Sequence, residues 1–93
     1  MANVKHVDGK DNGKILLYAL STCVWCKKTK KLLDDLGISY DYIYVDLEDS
    51  DERKLLEEEI EKHNPSLSFP TIIIDEDDCI IGYKPKDIKE RFK

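Results

Sequence analysis

The distribution of apolar and polar positions divides the chain into short alternating segments. Residues 4–7 (Val-Lys-His-Val) alternate, and the Gly-containing pairs at 8–9 and 12–13 follow them as turn formers. This opening forms either an edge strand or an ordered tail. Residues 14–20 are an apolar run of strand length, bounded by a turn on one side and by Ser21-Thr22 on the other, which are placed as helix-start residues. From Cys23 to Leu36, the positions Cys26, Thr29, Leu32, Leu33 and Leu36 fall on one helical face, and Gly37 supplies the left-handed terminator. Residues 40–47 alternate aromatic and β-branched side chains with Asp41 and Asp46 and predict a strand. Asp49-Ser50-Asp51 opens a helix running to about His63, with Leu55, Leu56 and Ile60 as its apolar stripe and Asn64-Pro65 as its stop. Thr71–Ile74 is a β-branched strand, 75–78 a polar hairpin turn, Cys79–Gly82 the returning strand, and Pro85 the start of a last helix ending near Phe92.

The predicted order is β-α-β-α-β-β-α. Two strands joined through a helix pair in parallel and two joined by a hairpin pair antiparallel, so the sheet is mixed. At 93 residues the chain is one domain, 1–93, with 1–13 as the edge strand or tail. No repeat or linker interrupts it.

Composition narrows the function classes. The net charge of −5 disfavours nucleic acid as a partner, because phosphate binding needs a concentrated basic face. The longest apolar run is too short to cross a bilayer, and the opening Met1-Ala2-Asn3-Val4-Lys5 has no signal-peptide character. A cytoplasmic, monomeric protein without membrane attachment is expected. Three cysteines are too few for a disulfide framework, and a Cys-x-x-Cys pair in that setting is catalytic or metal-binding.

The pair is Cys23-Val24-Trp25-Cys26, placed where a strand hands over to a helix. Residues three apart share a helical face, so the two sulfurs come within bonding reach. Cys23 stands at the helix N-terminus, where unpaired N–H groups and the helix dipole favour a thiolate. Cys26 lies one turn inward. Cys23 is therefore read as the nucleophile and Cys26 as the resolving thiol. Lys27, Lys28, Lys30 and Lys31 crowd the first half of this helix and Asp34 and Asp35 its end, the reverse of what the dipole favours. The cluster either supplies a positive field at Cys23 or is an ordinary solvated face.

The alternative is a binding module. A closed zinc site needs four ligands, and Cys79, His6 and His63 are scattered without ligand-like spacing. No metal is expected from these residues alone, while an iron–sulfur cluster shared with a second chain or a small thiol is the other form of that alternative. Cys79 is read as a small buried hydrophobe, His63 as a favourable charge at a helix end, and Tyr40, Tyr42 and Tyr44 as packing on one sheet face. Trp25, exposed beside the nucleophile, is read as a substrate contact.

Taken together, Cys23-Val24-Trp25-Cys26, Ser68-Phe69-Pro70-Thr71 and Gly82-Tyr83-Lys84-Pro85 resemble the glutaredoxin family over residues 14–93. The resemblance implies a thioredoxin fold, a four-stranded mixed sheet flanked by three helices, and thiol–disulfide exchange on protein disulfides. It also implies a cis bond at Phe69-Pro70 and substrate contacts at Trp25, Lys27, Phe69, Pro70, Gly82, Tyr83 and Lys84. No cofactor beyond the dithiol is implied, except glutathione or another small thiol as electron donor. Leu20 stands where glutathione-using members carry lysine, Val24 and Trp25 replace their Pro-Tyr, and Gly82-Tyr83 replaces their Gly-Gly. Gly82-Tyr83-Lys84-Pro85 is similar instead to the Gly-Phe-Arg-Pro of the redoxins that serve ribonucleotide reductase. That similarity brings ribonucleotide reductase in as a partner and thioredoxin reductase as an alternative donor.

Overall fold

In the computed structural model, which describes residues 3–92, five strands and three helices follow the predicted order. Met1 and Ala2, the first two positions of the opening segment read above, lie outside the described residues. The elements are β1 (Lys5–Val7), β2 (Ile15–Ala19), α1 (Val24–Asp35), β3 (Tyr40–Tyr44), α2 (Ser50–Glu61), β4 (Thr71–Ile74), β5 (Asp78–Ile81) and α3 (Pro85–Arg91). The sheet order is β1-β3-β2-β4-β5, with β2 and β3 parallel and every other pair antiparallel.

The expected four-stranded sheet has a fifth member, because residues 5–7 are a true edge strand against β3. Two devices hold it. Gly9 sits where a Cβ would lie 2.6 Å from Gly37 O, and that closeness lets Lys10 exchange 2.8 Å backbone bonds with Gly37 and Ser39. His6, on the strand itself, has Asp41 at 2.7 Å from Nδ1 and Asp8 at 2.9 Å from Nε2.

The strand expected over 40–47 ends at Tyr44, and Val45–Leu47 winds into a single 3-10 turn. The hairpin between β4 and β5 turns on Asp75 and Glu76, both at positive φ, the backbone a type I′ turn requires.

Side-chain alternation divides the core between the two sheet faces. Ile15, Leu17 and Ala19 of β2 pack with Cys26 and Leu33 of α1, Ile72 and Ile74 of β4, and Ile88 of α3. On the other face Tyr18, Ile43 and Ile73 pack with Ile60 of α2. The middle strand β2, covered on both faces, delivers the chain into the start of α1. Tyr40, Tyr42 and Tyr44 share the α1 face as expected, with ring centroids 6.1 and 5.5 Å apart in sequence order, and Tyr40 donates to Asp34 at 2.6 Å.

Candidate active site

The chain leaves β2 through a turn, Leu20-Ser21-Thr22-Cys23, closed by a 3.2 Å bond from Cys23 N to Leu20 O. Ser21 and Thr22 do not cap α1, contrary to the expectation from sequence. Cys23 itself is the N-cap: its backbone is extended, and its Sγ accepts from Cys26 N at 3.2 Å. A sulfur thus stands where an oxygen side chain ordinarily satisfies a free helical N–H. Ser21 is instead held from the side, its N–H donating to Asp46 Oδ1 at 2.9 Å and its hydroxyl to Oδ2 at 2.6 Å.

The two thiols differ in surroundings. Cys23 is half-exposed, whereas Cys26 is 1% exposed among Leu17, Leu33 and the other residues of the α1-side core. Burial pushes the Cys26 thiol up to about 12, aided by its hydrogen bond with Cys23 and by the negative charge of Asp46. Cys26 is therefore a neutral thiol throughout the physiological range.

Around them, Phe69-Pro70 is cis, as the resemblance implied, and Phe69 packs against the same core cluster as Cys23. The loop carrying it is organised by Asn64, a buried side chain read from sequence only as part of a helix stop. Its Nδ2 reaches Ser68 O at 3.0 Å, Ser68 Oγ at 3.1 Å and Thr71 Oγ1 at 3.0 Å, while Ser66 donates to its Oδ1 at 2.6 Å. Gly82 N bonds Pro70 O at 2.8 Å, tying the end of β5 to the cis-proline loop. A Cβ on Gly82 would meet nothing within 4 Å, so its φ of +86° is what favours glycine there.

Trp25 and Tyr83 stack, with centroids 5.7 Å apart and planes 25° from parallel, and Lys28 Nζ lies 4.7 Å from the indole centroid. Trp25 remains 54% exposed beside Val24 at 61%. An apolar, cation-edged surface thus flanks Cys23. Lys27 and Lys84, both read as substrate contacts, are exposed, and neither side chain meets a partner among the described residues. The lysine cluster divides: Lys30 pairs with Asp34 at 3.2 Å and Lys31 with Asp35 at 3.0 Å, leaving Lys27 and Lys28 at the Cys23 end without a carboxylate partner among the described residues.

Cys79 is half-buried, not fully buried as expected, and packs on the α2 face of the sheet, opposite Cys26, with its Sγ 3.5 Å from His63 O. Among the described residues no three His, Cys, Asp or Glu side chains converge on a common point fit for a metal ion. A cavity of about 450 Å³ also lies on the α2 face, between Leu16, Tyr18, Lys62, His63 and Ile73, away from the dithiol. No helix among the described residues is long and apolar enough to cross a membrane.

Residues 15–79 match the glutaredoxin family profile. The glutaredoxin of Methanosarcina mazei Go1 superposes with a TM-score of 0.90 at 53% identity, covering 96% of this chain and 86% of that one. The methanoredoxin of Methanosarcina acetivorans follows with 0.88 at 50%, covering 90% and 88%. The NrdH-redoxin of Escherichia coli shares the fold, with a TM-score of 0.61 at 23% identity over 83% of this chain and 92% of that one. The chain carries the Cys-x-x-Cys pair at the head of α1 in a thioredoxin-like fold, and it belongs to the glutaredoxin family of thiol–disulfide oxidoreductases.

Proposed function

We propose that the protein reduces disulfides of partner proteins by dithiol exchange, with Cys23 as nucleophile and Cys26 as resolving thiol. The observation that carries this reading is the asymmetry of the pair: Cys23 is half-exposed at the helix end, and Cys26 is buried and neutral. The Cys23 thiolate attacks one sulfur of the substrate disulfide, forms a mixed disulfide and expels the other sulfur as thiolate. Cys26 then loses its proton as it attacks Cys23 Sγ. The substrate's second sulfur leaves as a thiolate and takes up that proton, so the Cys23–Cys26 pair gives up two electrons in becoming a disulfide and the substrate disulfide is reduced to a dithiol.

The stacked Trp25 and Tyr83, the Phe69-Pro70 loop, the Gly82 backbone, and Lys27 and Lys84 form the substrate contacts in this reading. Ribonucleotide reductase is one candidate among the protein substrates. The donor that regenerates the dithiol is a small thiol such as glutathione, or thioredoxin reductase. Leu20, which offers no charge to a glutathione carboxylate, supports the second.

The test is reduction of a model protein disulfide by the wild type, Cys23→Ser and Cys26→Ser, with glutathione or with thioredoxin reductase and NADPH as donor. Cys23→Ser is inactive with both. Cys26→Ser loses turnover on protein disulfides. Full dithiol turnover by Cys23→Ser would overturn the assignment.

A further inference from the structure

We propose that Asp46 is a positioning residue for the Cys23 nucleophile and acts through Ser21. The inference rests on the reading of Cys23 as nucleophile. The turn that delivers Cys23 has one internal backbone bond, the 3.2 Å contact from Cys23 N to Leu20 O. Its second residue, Ser21, is gripped by both oxygens of Asp46, at 2.9 Å to the backbone N–H and 2.6 Å to the hydroxyl. These bonds are shorter than the one inside the turn, and they anchor it to a different part of the fold.

Asp46 occupies the 3-10 turn that follows β3, and β3 is the parallel neighbour of β2. The clasp therefore joins the C-terminal ends of two adjacent strands directly beneath the head of α1. It fixes Ser21, two residues before the sulfur that must meet a substrate disulfide in line. A bidentate acceptor restrains both position and orientation, and small losses of orientation at a reacting atom lower rates steeply.

The 3-10 turn itself gains a reason. Had β3 continued as an extended strand through Leu47, successive side chains would alternate faces on a straight backbone, and the Asp46 carboxylate would not be brought round to the β2 end by a change of chain direction. Asp46 is also suited to hold the clasp while ionised. Burial alone would raise its carboxyl, but the Ser21 hydroxyl, the Ser21 N–H, its own N–H and the Arg53 charge together hold it below the usual carboxylate range.

The experiment measures protein-disulfide reduction, the equilibrium constant of the Cys23–Cys26 pair against a reference dithiol, and the unfolding midpoint. The variants are Asp46→Ala, Asp46→Asn and Ser21→Ala, with Cys23→Ser as control. In Asp46→Ala, kcat falls about tenfold with KM little changed, and the dithiol equilibrium constant moves. Asp46→Asn restores kcat, because its amide accepts the Ser21 N–H and donates to the Ser21 hydroxyl. Ser21→Ala, which deletes only one bond, gives an intermediate loss and carries the test if Asp46→Ala folds poorly. Wild-type kcat and equilibrium constant in both alanine variants would overturn the proposal, as would an Asp46→Asn as impaired as Asp46→Ala. An active Cys23→Ser would instead overturn the assignment of the nucleophile.

Discussion

At the scale of single residues, the sulfur of Cys23 does two things that conflict. It caps α1 by accepting from Cys26 N, and it is held ready to attack. An oxygen caps a helix better than a sulfur, so stability and function ask for different atoms here. Cys23→Ser should leave the protein inactive with an unfolding midpoint equal to or above that of the wild type, a separation that thermal denaturation and a disulfide-reduction assay together detect. The raised Cys26 thiol gives a second expectation. A folded-state value near 12 keeps Cys26 protonated from pH 6 to 9, so iodoacetamide labelling of the reduced protein followed by peptide mapping finds Cys26 spared in this range. Rapid labelling of Cys26 would contradict it. Asn64 supplies the third. Its amide bonds Ser68 O, Ser68 Oγ and Thr71 Oγ1, and Asn64→Ala, which removes these bonds while Thr71 Oγ1 keeps its 2.8 Å bond to Ser68 O, should cost about 1–3 kcal/mol in chemical denaturation.

At the scale of elements, local pattern explains most of what formed. The 12-residue α1 follows the face of Cys26, Thr29 and Leu33, and Gly37, at φ +68°, ends it as its position after Leu36 predicts. The order of charges on α1 was legible as a departure from the dipole rule, but its resolution was not, because the pairing of Lys30 and Lys31 with residues one turn on depends on side-chain choice. The 3-10 turn at Val45–Leu47 was hidden for a similar reason: Val45 and Leu47 are strand-like by composition, and the break follows from tertiary contacts around Asp46. Edge strand β1 carries a pH dependence. The hydrogen bond to Asp41 raises His6 above its usual 6.5, burial opposes it, and the Asp41 charge and Asp8 add to the rise. A raised folded-state value means the stabilisation is complete below about pH 6.5 and is lost as pH rises through the folded value. The wild type should therefore lose its advantage over His6→Gln in thermal stability between pH 6 and pH 9, and the hydrogen-exchange protection factors of residues 5–7, corrected for the base-catalysed intrinsic rate, should fall over the same interval.

At the scale of the molecule, the sheet separates chemistry from packing. Cys23 and Cys26 sit at the end of β2 on the α1 side, Cys79 faces α2, and the sheet stands between them. The linear motifs at 23–26, 68–71 and 82–85 were legible because each is contiguous in sequence. The bonds that assemble them were not. Gly82 to Pro70, Trp25 to Tyr83, and Ser21 to Asp46 each join residues far apart in the chain, and no periodicity encodes which carboxylate among many will be the partner. The account as a whole depends on one asymmetry, that the substrate joins Cys23 first. Incubating Cys26→Ser with a protein disulfide, quenching with acid and mapping the adduct by mass spectrometry tests it directly. The account predicts a mixed disulfide on Cys23 alone, with Cys79 unmodified; an adduct on Cys79, or none on Cys23, would contradict it.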